Sequence, residues 1–356
     1  MLNASICLNF CGFLEVTIKE IAVPEDFVFF DEYIDFAVQN ENIKQYVVRN
    51  DNTTVVHCIS CIVSLLAQGE NISSNCDELI KQYARSIADK LLAEEQNVQQ
   101  DIEHLRSQIK KGNLLMVVDE KEDDEYLFLV AKVDNSIWYD SESLAKNYGF
   151  SGEKKNIWKS AAFSLIVNNG EVSFDTVKVY VDTDAKYWAT HFLELTEQRN
   201  DHTNTYAAAN NMDISLKRTV KRTSEKDYYL LRNSLIQRFK VPHLVNYAEL
   251  VSELLDGYVP EEPALNMDKI RNSLLELPEK KKFDTQFYAD PTAVSKRSYT
   301  KFTVNDGVEL RVSDELTDFN QLIRSKKDAS GRRFLEIECQ DDKTFKFFKE
   351  RDTATV

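Results

Sequence analysis

Two short clusters in this chain carry residue types that could do chemistry. His57, Cys58 and Cys61 form an H-C-x-x-C string, and two thiolates at i and i+3 can share one face of a helix and bind zinc. Structural zinc takes four ligands, Cys76 and Cys339 are isolated in the sequence, and no second pair follows at comparable spacing. The pair therefore reads as buried thiols in a core helix. Asp119, Glu120 and Lys121 directly follow an apolar string at 114–118. A carboxylate and a lysine two residues apart at a strand end can hold a divalent metal and assist a hydrolytic water, as in metal-dependent nucleases. The alternative triplet Val130-Ala131-Lys132 lacks the acid, and DEKEDDE also reads as a solvated hairpin turn. His191 falls on the apolar side of its segment, between Trp188 and Leu195, where a hydrogen-bonded core histidine is the default. No G-x-S-x-G elbow, H-E-x-x-H pair or Walker loop occurs, so acyl transfer, zinc hydrolysis and P-loop chemistry lose their usual support.

Two basic groups remain. Lys217, Arg218, Lys221 and Arg222 occupy a short window without an intervening acid. Arg324, Lys326, Lys327, Arg332 and Arg333 flank a turn at 328–331. A solvated face explains either group, and phosphate contact is the functional reading; without interleaved aromatics, stacking on single strands is disfavoured. The helices expected near 225–240 and 247–257 mimic a helix-turn-helix, but the second carries Glu249, Glu253 and Asp256, the wrong sign to lie among phosphates.

The elements that would position these groups follow from periodicity. Residues 114–118 and 126–133 predict two antiparallel strands across the acidic turn, and Phe163, Leu165 and Val167 alternate into Asn168-Asn169-Gly170, a hairpin signal. Val177, Val179 and Val181 alternate and lead into a helix with Tyr187, Trp188, Phe192 and Leu195 inward and Asp184 at its start. Leu14, Val16 and Ile18 alternate as a strand, residues 55–66 predict a buried helix, Ile80 to Leu91 one amphipathic helix, and Ile102, Leu105 and Ile109 another ended by Gly112. Ser224 with Asp227 and Asn246 with Glu249 are capping pairs, and Pro278 closes a helix begun near Asp268. Residues 299–312 and a further strand at 335–339 predict one small sheet. The fold class is α+β: an antiparallel sheet of about five strands with packed helices, then a small helical bundle, then a small C-terminal β-sheet. The expected division is an acidic α+β domain over 1–210 and a C-terminal helical and small-sheet region over 211–356, with a joint at AAANNMD.

Of the 356 residues 43% are apolar and 29% charged, an ordinary globular mixture with room for a sizeable core. The longest apolar run, residues 55–67, falls short of the roughly 20 residues that cross a bilayer. Six irregularly spaced cysteines suggest reduced thiols and a cytoplasmic protein. The net charge of −15 opposes DNA binding, but it is unevenly spread. Residues 1–210 carry 18 Lys+Arg against 34 Asp+Glu, net −16, and residues 211–356 carry 26 against 25, net +1.

The helix LIKQYARSIADKLLAEE, the strands GNLLMVV and EYLFLVAKVD, then WKSAAFSLI, VDTDAKYWATHFL, the Asn204-Thr205 pair and KFTVNDGVELRV run in an order that resembles the bacterial nucleoid-associated 37-kDa protein family. The likeness covers roughly residues 75–340, with NVQQDIEHLRSQIKK as a local insertion. It implies a nucleoid protein that associates with double-stranded DNA. Together with the charge distribution it leads to the expectation of a non-enzymatic, sequence-independent duplex binder without cofactor or metal. A homodimer is expected, with protein partners on the acidic N-terminal domain and no membrane contact. The alternatives are an adaptor or sensor that reaches DNA only through a partner, and a metal-dependent nuclease at Asp119.

Overall fold

A computed structural model describes residues 4–10, 16–21, 28–68, 74–105, 109–110, 112–121, 124–139, 146–150, 156–183, 185–294, 299–313 and 322–348. In chain order they form β1 (Ala4–Phe10), β2 (Val16–Ile21), α1 (Val28–Gln39), β3 (Lys44–Val47), α2 (Thr54–Leu66) and α3 (Ser74–Ile102). Then come β4 (Asn113–Glu120), β5 (Glu125–Val133), β6 (Asn135–Tyr139), β7 (Lys146–Phe150), β8 (Ile157–Asn168), β9 (Glu171–Val181) and β10 (Thr196–Glu197). The helical part holds α4 (Asp201–Thr219), α5 (Glu225–Phe239), β11 (Leu244–Asn246), α6 (Tyr247–Leu255), α7 (Met267–Leu275), α8 (Leu277–Lys281) and β12 (Gln286–Tyr288). The last described elements are β13 (Tyr299–Asn305), β14 (Val308–Ser313), β15 (Ile323–Lys327), β16 (Arg333–Ile337) and α9 (Asp342–Phe348).

An antiparallel sheet of eight strands, in the order β10-β3-β9-β8-β5-β4-β1-β2, is the first layer. It exceeds the expected five because β1, β3 and β10 are too short or too weakly patterned to stand out in the sequence. The sheet is covered on both faces. Leu114, Met116, Phe128, Val130 and Phe163 meet α2 and α3 on one side, while Leu115, Val117, Leu129 and Ala162 meet α1 on the other. Double coverage makes β4 and β5 nearly continuous apolar strings. The β8–β9 hairpin turns through Asn169 at φ 52° and Gly170 at φ 83°, as its sequence predicts.

Several local expectations change. The amphipathic helix expected from Ile80 to Leu91 extends over 29 residues, Ser74–Ile102, and where a second helix was expected only a 3-10 turn, Glu103–Leu105, follows among the described residues, with 106–108 lying outside them. Gly112 does not cap a helix; a Cβ there would meet the Val133 carbonyl oxygen at 2.5 Å and the Trp158 ring at 2.7 Å, so glycine permits close backbone approach. After β9 the expected helix is a single π-turn, Trp188–Phe192, broken where Glu194 takes φ 54°. Trp188, Phe192 and Leu193 are buried there, and Asp184 lies outside the described residues.

The division at residue 210 is corrected. AAANNMD lies inside α4, and Ala208, Ala209, Met212 and Leu216 form one stripe of the second core, so a boundary there would cut a helix and its packing. The first core ends in sequence at Leu195 and the second begins at Ala208. Ser224 caps α5 by accepting from the Asp227 amide at 3.1 Å. Asn246 precedes α6 without a side-chain cap, because its Oδ1 accepts from Gln286 Nε2 at 2.9 Å instead. Pro278 opens α8 rather than closing α7, an N-terminal position where a missing amide costs nothing. The expected single C-terminal sheet is two separate hairpins, β13–β14 and β15–β16. Nearly all their side chains are exposed, so no shared apolar face joins them.

Candidate functional site

The first basic group lies at the C-terminal end of α4 and the turn after it. Lys217, Arg218 and Arg222 are exposed. Cations there also complement the negative end of the helix dipole. Lys221 is engaged internally: it pairs with Glu225 at 3.0 Å and stands over the rings of Tyr228 and Tyr229 at 5.4 and 5.3 Å. That bond with Glu225 holds its amine above the ordinary lysine range.

The second basic group is divided by the strand pleat. Arg324 opposes Glu336 and Lys326 opposes Phe334 on one face of the β15–β16 hairpin, whereas Lys327 opposes Arg333 on the other. Arg332 sits in the turn, bound to Asp328 at 2.8 Å, and Lys326 pairs with Glu336 at 2.7 Å. The five cations are therefore not one surface.

Asp119 departs from the solvated turn expected for it. It is the penultimate residue of β4, opposite Leu127, only 8% exposed, and ion-paired with Lys121. Glu120 points outward and accepts from the Tyr126 hydroxyl at 3.3 Å. Among the described residues no group of three His, Cys, Asp or Glu side chains is placed to hold a metal ion.

Cys58 is buried in α2, which with Cys61 nearby pushes its thiol up to about 11. Cys61 is half-exposed, 3.6 Å from His57 Nε2 one turn earlier. His191 is exposed, not a core histidine, because the π-turn rotates it out while Trp188 and Phe192 turn in. The helices α5 and α6 pack through Leu231, Leu235, Leu250 and Val251 into a bundle with α4, α7 and α8, rather than as a free reading head.

Sequence reasoning missed the buried charges. Lys132 and Lys159 oppose each other across β5 and β8. Glu95 of α3 accepts from Lys132 Nζ at 2.5 Å and from the Tyr187 hydroxyl at 2.9 Å. Lys159 stands over the Tyr187 ring at 5.5 Å, and burial, then Lys132, pushes its amine down to about 8. Lys110 pairs with Asp182 at 3.0 Å and lies over Trp158 at 5.1 Å, closing the group. The only sequence signal was lysine inside an apolar strand.

Missed as well is a polar seam between the two cores. Lys44 pairs with Glu197 and Asp201, both at 2.6 Å. Gln286 bonds the backbone of Val181 twice, and the amides of Thr285 and Gln286 both donate to the Ile43 carbonyl. Asn204 and Thr205 are fully buried and bond residues 284 and 290.

Compared with known proteins, the chain matches no family model, no curated protein and no solved structure. Among the described residues no helix is long and apolar enough to cross a membrane.

Proposed function

We propose that this chain is a non-enzymatic, nucleoid-associated-like protein that binds double-stranded DNA with little sequence preference. Its phosphate contacts come from Lys217, Arg218 and Arg222, with Lys221 as part of the same turn. The observation that carries the reading is the exposure of three cations within six residues at one helix end. They belong to the C-terminal part, residues 211–356, whose net charge is +1 against −16 over residues 1–210. Arg324, Lys326, Lys327, Arg332 and Arg333 supply at most a divided second contact, given their split across two faces. The protein acts at the nucleoid, in the cytoplasm, and two associated copies would join two weak sites into one stronger one.

Duplex of random sequence, titrated with salt, tests this reading. Affinity that falls steeply with added salt supports it. Absence of retardation at low salt with micromolar protein favours the second reading, an adaptor or sensor without direct DNA contact. A specific feature favours that alternative too: the −16 charge over residues 1–210 repels a phosphate backbone and suits a basic protein partner.

A further inference from the structure

The seven residues of α9 are exposed throughout, with Phe345 at 59%, Phe347 at 81% and Phe348 at 76%. Phe334, Leu335 and Ile337 on the preceding hairpin are exposed as well. A lone two-stranded hairpin and a two-turn helix are marginal in water, and aromatic surface of this kind marks an interaction site. Elsewhere a cleft of about 420 Å³ opens between α1, Lys121 with the start of β5, and the β8–β9 hairpin. Its floor is apolar, with Ile34, Val38, Leu127 and Ile166, and its rim carries Asp35, Glu125 and Asp175. The rim's Lys121 is paired with Asp119.

These two surfaces are complementary. The phenyl rings of α9 come with Lys343 and Lys346, and residues 322–348 hold seven Lys+Arg against five Asp+Glu, net +2, whereas residues 1–210 are at −16. We propose that α9 of one copy of this chain docks in the acid-rimmed cleft between α1 and β8 of a second copy. Each copy offers both a helix and a cleft, and the contact made reciprocally between two copies closes a two-fold dimer. The rings fill the apolar floor, and the lysines meet the rim carboxylates. The inference rests on the self-association in the proposed function and is independent of DNA binding.

Sedimentation velocity of the full chain tests it, alongside Phe347→Asp/Phe348→Asp and, separately, Asp35→Lys/Asp175→Lys, each checked for native circular dichroism. The wild type sediments as a dimer, and either variant dissociates at least about tenfold more readily. Carbodiimide coupling of mixed heavy and light protein then gives amide links between Lys343 or Lys346 of one copy and Asp35 or Asp175 of the other. A wild type that stays monomeric at all concentrations removes both this contact and self-association. A dimer that survives in both variants removes this contact alone, and links confined to single copies make the occupant the chain's own helix, which also overturns the proposal.

Discussion

Asn204 and Asp284, 80 residues apart, exchange two hydrogen bonds in the interior: Asn204 Nδ2 donates to Asp284 Oδ2 at 2.8 Å, and the Asp284 amide donates to Asn204 Oδ1 at 3.1 Å. The same carboxylate faces Arg199 at 3.4 Å and the Gln45 amide at 3.4 Å. One side chain of α4 thereby locks the segment that enters β12, whose Asp284 accepts from the Gln45 amide of β3. Burial raises the Asp284 carboxyl above its ordinary value, against the pull of Asn204 and Arg199.

Asn204→Ala leaves that buried carboxylate and amide short of a partner, and the expected loss is about 1–3 kcal/mol of stability. Urea denaturation measures it. A change near zero would mean that the seam is held without this pair.

Lys159 predicts a pH-dependent difference. Its folded value of about 8 lies below the ordinary 10.5, so ionisation opposes folding; its contribution is complete above 10.5 and is lost as pH falls through 8. Lys159→Met should therefore be more stable than wild type at pH 7 by up to about 3 kcal/mol, with the gap closing as pH rises toward 10.5. Paired thermal melts from pH 7 to 10.5 check this, and a gap that ignores pH would refute the burial argument.

Charge reversal separates the two basic groups. Lys217→Glu/Arg218→Glu/Arg222→Glu should weaken duplex binding on all sequences alike and flatten the salt dependence by roughly one power of salt per lost phosphate contact. Reversal of Arg324, Lys327 and Arg333 should cost less, since they lie on different faces. The opposite ranking, read by fluorescence anisotropy, would move the contact to the hairpin.

Asp119 bears on chemistry. Purified protein is expected to leave plasmid DNA intact with magnesium or manganese; nicking that vanishes in a folded Asp119→Asn protein would establish a nuclease. The variant needs its own stability control, because Asp119 is buried and paired with Lys121.

Short-range pattern made much of the fold readable. The 168–171 turn, the β4–β5 hairpin, the buried α2 and the Ser224 cap each depend on residues within a few positions of one another, where backbone preference and periodicity act directly. The α+β class follows from these alone. Periodicity could not tell that the helix around Ile80 to Leu91 runs on to Ile102, that AAANNMD continues α4, or that His191 turns outward, because packing against distant elements decides each. The same holds for the charged groups. Lys132 faces Lys159, Asn204 finds Asp284, and the basic hairpin splits its cations only after strand register is set across long stretches of chain. The sequence determined which residues could be buried or charged; only the tertiary structure decided their neighbours, since contact free energy depends on positions in space that local spacing does not encode.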